Sequence, residues 1–230
     1  IKTSDVSDIE NDGIFLVDLE ENTSKLLLSI KNIIDLYYKH SMEEAKHWIN
    51  HTTFSPDGNK ILFLHRWTTQ GKRYDSLMLY DISKKSVVCI ANDSMISHFC
   101  WIDNRKIVVY MRDTILGVNY FHVNLEKKEK RLLEEVLLDK FGDGHPSFNK
   151  EWMIFDTYPN KSRMKDLMLY SISSNKLKRI GEFFENFNYY GETRCDLHPR
   201  WSDNGKVVFI DSVHEGKRYL YKIDVKYNEL

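Results

Sequence analysis

Four of the chain's nine histidines share one register: His51, His98, His145 and His198 each stand three positions ahead of an aromatic residue, respectively Phe54, Trp101, Phe148 and Trp201. Neutral imidazoles joined by carboxylates form the ligand type that suits Zn, Mn, Fe or Ni, and such sites leave coordination positions open for a substrate. The apolar run that follows each histidine ends in a further group of interest: His65 with Arg66, Met111 with Arg112, Asp156 with Thr157, and Asp211 with Ser212. Imidazoles, carboxylates and guanidinium groups brought to one rim would hold a metal ion together with an anionic ligand. A second reading uses the same residues structurally. A repeated histidine can hydrogen-bond its neighbouring loop, Asp156 and Asp211 can cap hairpins, and Arg66 or Arg112 can pair with them. Repetition copies structural residues as readily as functional ones, so the spacing leaves both readings open.

The register histidines are separated by 47, 47 and 53 residues, a period that fits a β-propeller blade and exceeds most helical solenoid units. Within a repeat, Phe54-Ser-Pro-Asp-Gly58 leads into Ile61 to Leu64, and Trp201-Ser-Asp-Asn-Gly205 leads into Val207 to Ile210. Asp-Gly and Asn-Gly between apolar runs signal hairpins, because glycine accepts the positive φ of the tight turn. A third strand recurs as Leu77 to Ile82, Tyr120 to Leu125, Leu167 to Ile172 and Leu220 to Val225, with an earlier copy at Ile14 to Leu19. Outer strands follow at Lys25 to Ile30, Ser86 to Ala91, Lys130 to Val136 and Lys176 to Ile180. The pattern predicts an all-β propeller with four blades and half of another. Residues 1–230 read as a single propeller domain, either the C-terminal portion of a ring of roughly six or seven blades or a five-bladed ring with irregular ends, since closure removes exposed strand edges. In such a ring, equivalent positions at the entry to each inner strand face the central channel, which would gather the four histidines at its mouth.

Two segments break the β pattern. Ile33, Ile34, Tyr37, Tyr38, Met42, Ala45 and Trp48 recur at helical spacing, which predicts one or two helices across residues 31–48. Residues 183–193 form an aromatic-rich irregular stretch that accounts for the longer third step. A net charge of −1 carries no electrostatic footprint for nucleic acid, and no window reaches the roughly 18 apolar residues of a membrane helix. Cys89, Cys100 and Cys195 lack metal-type spacing and read as reduced core residues, which points to a reducing, cytoplasmic compartment; the periplasm becomes the expectation if a signal peptide precedes these residues.

The run Phe54-Ser-Pro-Asp-Gly58 resembles the repeat of TolB-type propellers. Asp196-Leu-His198-Pro-Arg-Trp201, followed by Asp211-Ser-Val-His-Glu-Gly216, resembles the last blade of oligogalacturonate lyases. That resemblance implies a typically cytoplasmic propeller that binds Mn through histidines and a glutamine and cleaves digalacturonate by β-elimination. It implies His198 as one metal ligand and His145 as another from the preceding blade, with Asp196 in place of a further family histidine; His51 and His98 complete the candidate metal set. The family glutamine falls near Thr193, a poor ligand. Leu64-His65-Arg66-Trp67 resembles the family's His-Glu-Gly segment, which makes His65 and Arg66 the candidates for proton abstraction. Arg112, Asp156, Arg163, Arg194, Arg200 and Asp211 are the candidates for binding an anionic oligosaccharide or other small polar ligand. A metal on a uronate carboxylate would stabilise the enolate-like charge formed as the C5 proton leaves.

Two other classes stand beside this one. A non-catalytic TolB-like propeller would act as a binding or scaffolding module for a peptide, glycan or protein partner. A propeller attached to a peptidase domain, as in prolyl-oligopeptidase-type enzymes, would place its chemistry elsewhere, because no Gly-x-Ser-x-Gly elbow occurs in these residues.

Overall fold

A computed structural model describes residues 9–92, 95–133 and 141–226. The chain falls into two compact units, Ile1–Ile96 and Ser97–Leu230. In the first, β1 (Gly13–Asp18) and β2 (Thr23–Ser29) form a two-stranded sheet, and β3 (Lys46–Phe54), β4 (Lys60–Thr69), β5 (Lys72–Asp81) and β6 (Ser86–Ala91) form a four-stranded one. In the second, β7 (Ile96–Asp103) to β10 (Glu129–Leu132) make one antiparallel meander, with β8 (Lys106–Asp113) and β9 (Gly117–Asn124) between them. A further meander runs β11 (Ser147–Asn149), β12 (Trp152–Asp156), β13 (Met164–Ser171) and β14 (Leu177–Phe184). The last sheet orders β15 (Arg200–Trp201), β16 (Val207–Ser212) and β17 (Tyr219–Asp224). Every strand therefore pairs with its neighbour in sequence, as a blade requires.

The expected strands recur with small changes of boundary. Ser86–Ala91 is found as read, whereas β14 continues to Phe184. Val136 of the expected outer strand lies outside the described residues. The anticipated hairpin turns form alike in both units: Gly58 (φ 72°) donates its N–H to the Ser55 carbonyl, and Gly205 (φ 67°) donates to that of Ser202, each at 2.8 Å. The helical stretch is shorter than its spacing implied. Helix α1 (Ile30–Tyr37) is capped reciprocally by Ser29 and Asn32, and a single 3-10 turn follows at His40–Met42. Lys46 to Trp48 are strand, paired with Thr68 to Arg66 of β4. Backbone pairing to a sheet outweighs a weak helical period over so few residues.

Central strands are buried on both faces, so they read as continuous apolar runs rather than alternating ones. Lys60-Ile-Leu-Phe-Leu-His-Arg-Trp is buried from Ile61 to Trp67. In the first unit, Ile14 and Leu28 of the two-stranded sheet pack with Phe63, Met78 and Tyr80. In the second, Val108 and Tyr120 pack with Met153, Phe155 and Met168, and Ile154, Leu167 and Leu169 pack with Leu197, Val208 and Ile210. Among the described residues, no helix is long and apolar enough to cross a membrane.

Two buried polar clusters reinforce these cores. In the first unit, His65 is wholly buried and shares a 3.0 Å hydrogen bond with Nδ1 of His47, whose Nε2 meets the Met42 carbonyl at 3.2 Å. Burial, with the neighbouring His47, pushes the His65 pKa down to about 3. In the second unit, Lys165 and Glu185 are both fully buried and ion-paired at 3.2 Å; Glu185 also takes Arg163 at 2.7 Å and the Cys195 N–H at 2.9 Å. Lys165 donates in addition to the Cys195 carbonyl. The loop after β14 is thereby tied down immediately ahead of Asp196.

Two outcomes follow from these clusters. Glu185→Leu strands the Lys165 ammonium in the core and should cost about 3–5 kcal/mol of stability in urea unfolding, most of it recovered when Lys165→Met is added. His65 is neutral in the folded protein but protonates near its ordinary value once unfolded. The unfolded chain therefore binds more protons below about pH 6.5, and stability should fall as pH drops from there toward 3, by a few kcal/mol in total on the order of one per pH unit. His65→Gln should flatten that slope.

Candidate metal centre

One carboxylate organises the centre of the second unit. Asp156, the last residue of β12, is 1% exposed. Its Oδ1 accepts the His145 N–H at 2.7 Å and its Oδ2 accepts the His198 N–H at 3.0 Å, so two loops are fixed by the two oxygens of one side chain. The same carboxylate receives His145 Nδ1 at 2.9 and 3.1 Å. That bond settles the tautomer: Nδ1 carries a proton, and Nε2 is left as the ring's outward donor atom. Gly144 is required for this approach, because a Cβ there would lie 1.8 Å from the Asp156 carbonyl oxygen.

His198 sits in the left-handed region (φ 42°) just before β15, and the chain beside it is pinned by the Asp211 N–H donating to the Leu197 carbonyl at 2.8 Å. The His145 and His198 ring centres are 3.8 Å apart. One donor atom from each of His145, His198 and Asp196 falls within 4.8 Å of the others. Two nitrogens and one carboxylate oxygen this close can be drawn onto a single divalent ion by small side-chain movements, and Nδ1 of His145 is already held by Asp156, as metal-ligating histidines require. The residues present therefore fit such an ion.

His98 continues the series, its ring centre 4.1 Å from that of His145. Its Nδ1 meets Asp143 Oδ1 at 3.1 Å, and Ser97 donates its hydroxyl to the other oxygen of Asp143. Tyr158 stands edge-on to His145 and carries the Arg194 guanidinium 4.6 Å above its ring. Arg194 grips Asp196 as a fork, Nε at 2.7 Å from Oδ1 and Nη2 at 2.8 Å from Oδ2.

Charge distributes accordingly. Burial works against protonation of His145, but its hydrogen bond to Asp156 and the attraction of Asp156, Asp196 and Asp143 prevail, so its pKa is raised. His198 moves the other way, lowered by burial and then by repulsion from His145. Burial opposes ionisation of Asp156, and the His145 contacts with both backbone N–H groups overcome it and keep the carboxylate charged. The Tyr158 hydroxyl is pushed up to about 12 by burial and the surrounding carboxylates.

The structure thus brings together His98, His145, His198, Asp196, Asp156 and Arg194. Asp156, read from sequence as a ligand-binding group, accepts hydrogen bonds from the His145 N–H, the His145 Nδ1 and the His198 N–H. Arg163 is spent on Glu185 and on the Tyr189 carbonyl at 2.6 Å. Arg200 pairs with Asp211 at 2.8 Å and bonds the His198 carbonyl at 3.0 Å, so both hold the frame. Arg112 is exposed near the end of β8. Thr193 turns its hydroxyl onto the Tyr190 carbonyl at 2.9 Å. His51 belongs to the first unit, exposed at an irregularity of β3 and left-handed like His198 (φ 54°). His65 and Arg66 also lie in the first unit, His65 wholly buried and Arg66 ion-paired with buried Asp75 at 3.1 Å. Gly144, Asp143 and Tyr158 were not singled out from sequence. The first two had a signal, since Asp143-Gly-His145 repeats the Asp-x-His spacing of Asp196-Leu-His198.

No family model and no curated protein matches the chain. Among solved structures it is similar to TolB from Acinetobacter baumannii, with a TM-score of 0.61 and 14% identity over 91% of this chain and 45% of that one. An oligogalacturonate lyase in complex with manganese is also similar, with a TM-score of 0.53 and 10% identity over 92% of this chain and 71% of that one. The oligogalacturonate lyase from Vibrio parahaemolyticus gives 0.51 and 13%, over 92% and 72%. The chain thus spans about half the length of that TolB. At these identities the likeness speaks to architecture alone, and the architecture is that of a β-propeller, shared with the TolB and oligogalacturonate lyase propellers.

Proposed function

We propose that this propeller binds a divalent metal ion, Mn first among them, through His145, His198 and Asp196, and beside it an anionic saccharide. The observation that carries the reading is the grouping of three donor atoms within 4.8 Å, with one imidazole already oriented through Nδ1 by a buried carboxylate. The manganese complex of a structurally similar lyase adds support for the ion. When bound, the ion would place positive charge beside the saccharide, where β-elimination from a uronate would develop negative charge. The chain's own residues then divide the work. Asp156 orients His145 and fixes the backbone of His198, Arg194 supplies positive charge beside the donor set, and Tyr158 backs both His145 and Arg194. Binding is the favoured activity over elimination, because the candidate bases are differently employed: His65 is buried against His47, and Arg66 is committed to Asp75.

Metal analysis of the purified protein by inductively coupled plasma mass spectrometry is the direct test. Near-stoichiometric Mn, Zn, Fe or Ni that disappears in both His145→Ala and His198→Ala is the expected result, and Asp156→Asn should weaken affinity by about 10- to 100-fold without removing a ligand. A protein that stays metal-free after incubation with these ions would instead leave the TolB-like binding module as the account of the chain. Protons compete for His145 Nε2, and the raised pKa of that ring extends the competition upward in pH. Metal affinity, followed by calorimetry, should therefore already be falling at pH values above the ordinary imidazole value of about 6.5 and continue to fall below it, by up to roughly tenfold per pH unit.

A further inference from the structure

The carboxylate of Asp196 is asked for by two partners. Its oxygens take three contacts from one guanidinium, Arg194 Nε at 2.7 and 3.0 Å and Nη2 at 2.8 Å, and one of the same oxygens belongs to the donor set shared with His145 and His198. A bidentate fork occupies the side of a carboxylate that a metal ion also prefers, and a guanidinium and a dication on one carboxylate repel each other. Asp196 is 9% exposed, while the Arg194 side chain is 40% exposed in their ion pair. The arginine is the partner with room to leave. It would not travel far: the Tyr158 ring lies 4.6 Å from its guanidinium carbon, and the Arg194 carbonyl accepts a hydrogen bond from Arg218 at 3.0 Å.

We infer that Arg194 and the metal ion exchange places on Asp196, so that loading the ion frees the Arg194 fork, still held over Tyr158, to take the carboxylate of an anionic sugar. This rests on the metal reading given above and adds to it a specificity residue and a coupling between the two ligands. Before the ion arrives, the fork is satisfied internally and the anion finds no free guanidinium at this position. Afterwards, Asp196 faces the ion, and a planar, bidentate donor is presented beside it. Arg194 fits the task where a lysine would not, because a fork matches a carboxylate in two parallel hydrogen bonds. Cation and anion then raise each other's affinity by the same factor, as linkage requires.

Exchange has a counterintuitive signature, since removing the arginine should help the metal. Calorimetric titration with MnCl2 and with galacturonate, on wild type, Arg194→Gln and Asp196→Asn, reads it without any assay of activity. Arg194→Gln should bind Mn2+ about tenfold tighter than wild type, because Asp196 loses its competitor, and should lose most of the Mn-dependent gain in galacturonate affinity. Metal-free Asp196→Asn should bind galacturonate about tenfold tighter than metal-free wild type, its arginine being already free. Arg194→Lys, which keeps the charge and lacks the fork, should recover little of the galacturonate gain. Circular dichroism and unfolding midpoints matching wild type would establish that each variant is folded, and the Arg194→Lys and Arg194→Gln pair provides two routes to the same comparison. Wild type that binds Mn2+ while Arg194→Gln binds it no tighter, or Asp196→Asn that gains no galacturonate affinity, overturns the exchange and leaves the metal reading intact. Wild type that takes up no Mn2+ overturns both.

Discussion

Both histidines of the candidate metal centre depend on one buried carboxylate. Asp156 ends a central strand with its side chain cut off from water, where an unpaired charge would be heavily penalised. It is satisfied by two backbone N–H groups and one imidazole, drawn from loops 11 and 42 residues away in sequence. The burial that makes the charge costly also makes each of those hydrogen bonds strong, so the loops entering β11 and β15 are held to one another through a single group. The histidine tautomer, the closeness of the two rings and the need for glycine at position 144 are all consequences of that arrangement.

The surrounding blades supply the rigidity such a group requires. Strands buried on both faces present Ile154 and Phe155 to opposite cores, and those cores leave Asp156 little freedom to follow its partners. The loop that brings Asp196 is anchored separately by the Lys165, Glu185 and Arg163 cluster. Buried ion pairs of this kind contribute specificity of placement more than net stability. Here the placed element is the segment Arg194-Cys195-Asp196, whose middle residue is bonded through both its N–H and its carbonyl.

Much of the architecture was legible in the chain itself. The period between register histidines, the Asp-Gly and Asn-Gly turns and the recurring third strands gave the meanders and their order, because turn chemistry and blade repeats are local properties. The segment around Lys46 to Trp48 was misread, since its helical period is local while the pairing with β4 that overrides it is not. The grouping of His145, His198 and Asp156 followed from the repeat register, which marks equivalent positions. The partners of the arginines did not follow, because Arg163 and Arg200 are claimed by residues 22 and 11 positions away, Glu185 and Asp211, whose proximity is decided only by the loops. Equal spacing also hid unequal roles. The two Asp-x-His runs match in sequence, yet Asp143 serves His98 whereas Asp196 faces Arg194.

The left-handed backbone at His198 narrows what can replace it. Branched side chains are excluded there by steric conflict, while glycine and asparagine adopt the conformation readily. Either of them would preserve the loop, the N–H that Asp156 needs and the blade behind it, while deleting the imidazole. The chemistry of the site is therefore separable from the scaffold at a single codon. A lineage built on this frame could discard or regain its ligand without passing through an unfolded intermediate, which is one physical route by which a single propeller architecture comes to house both reactive and purely adhesive relatives.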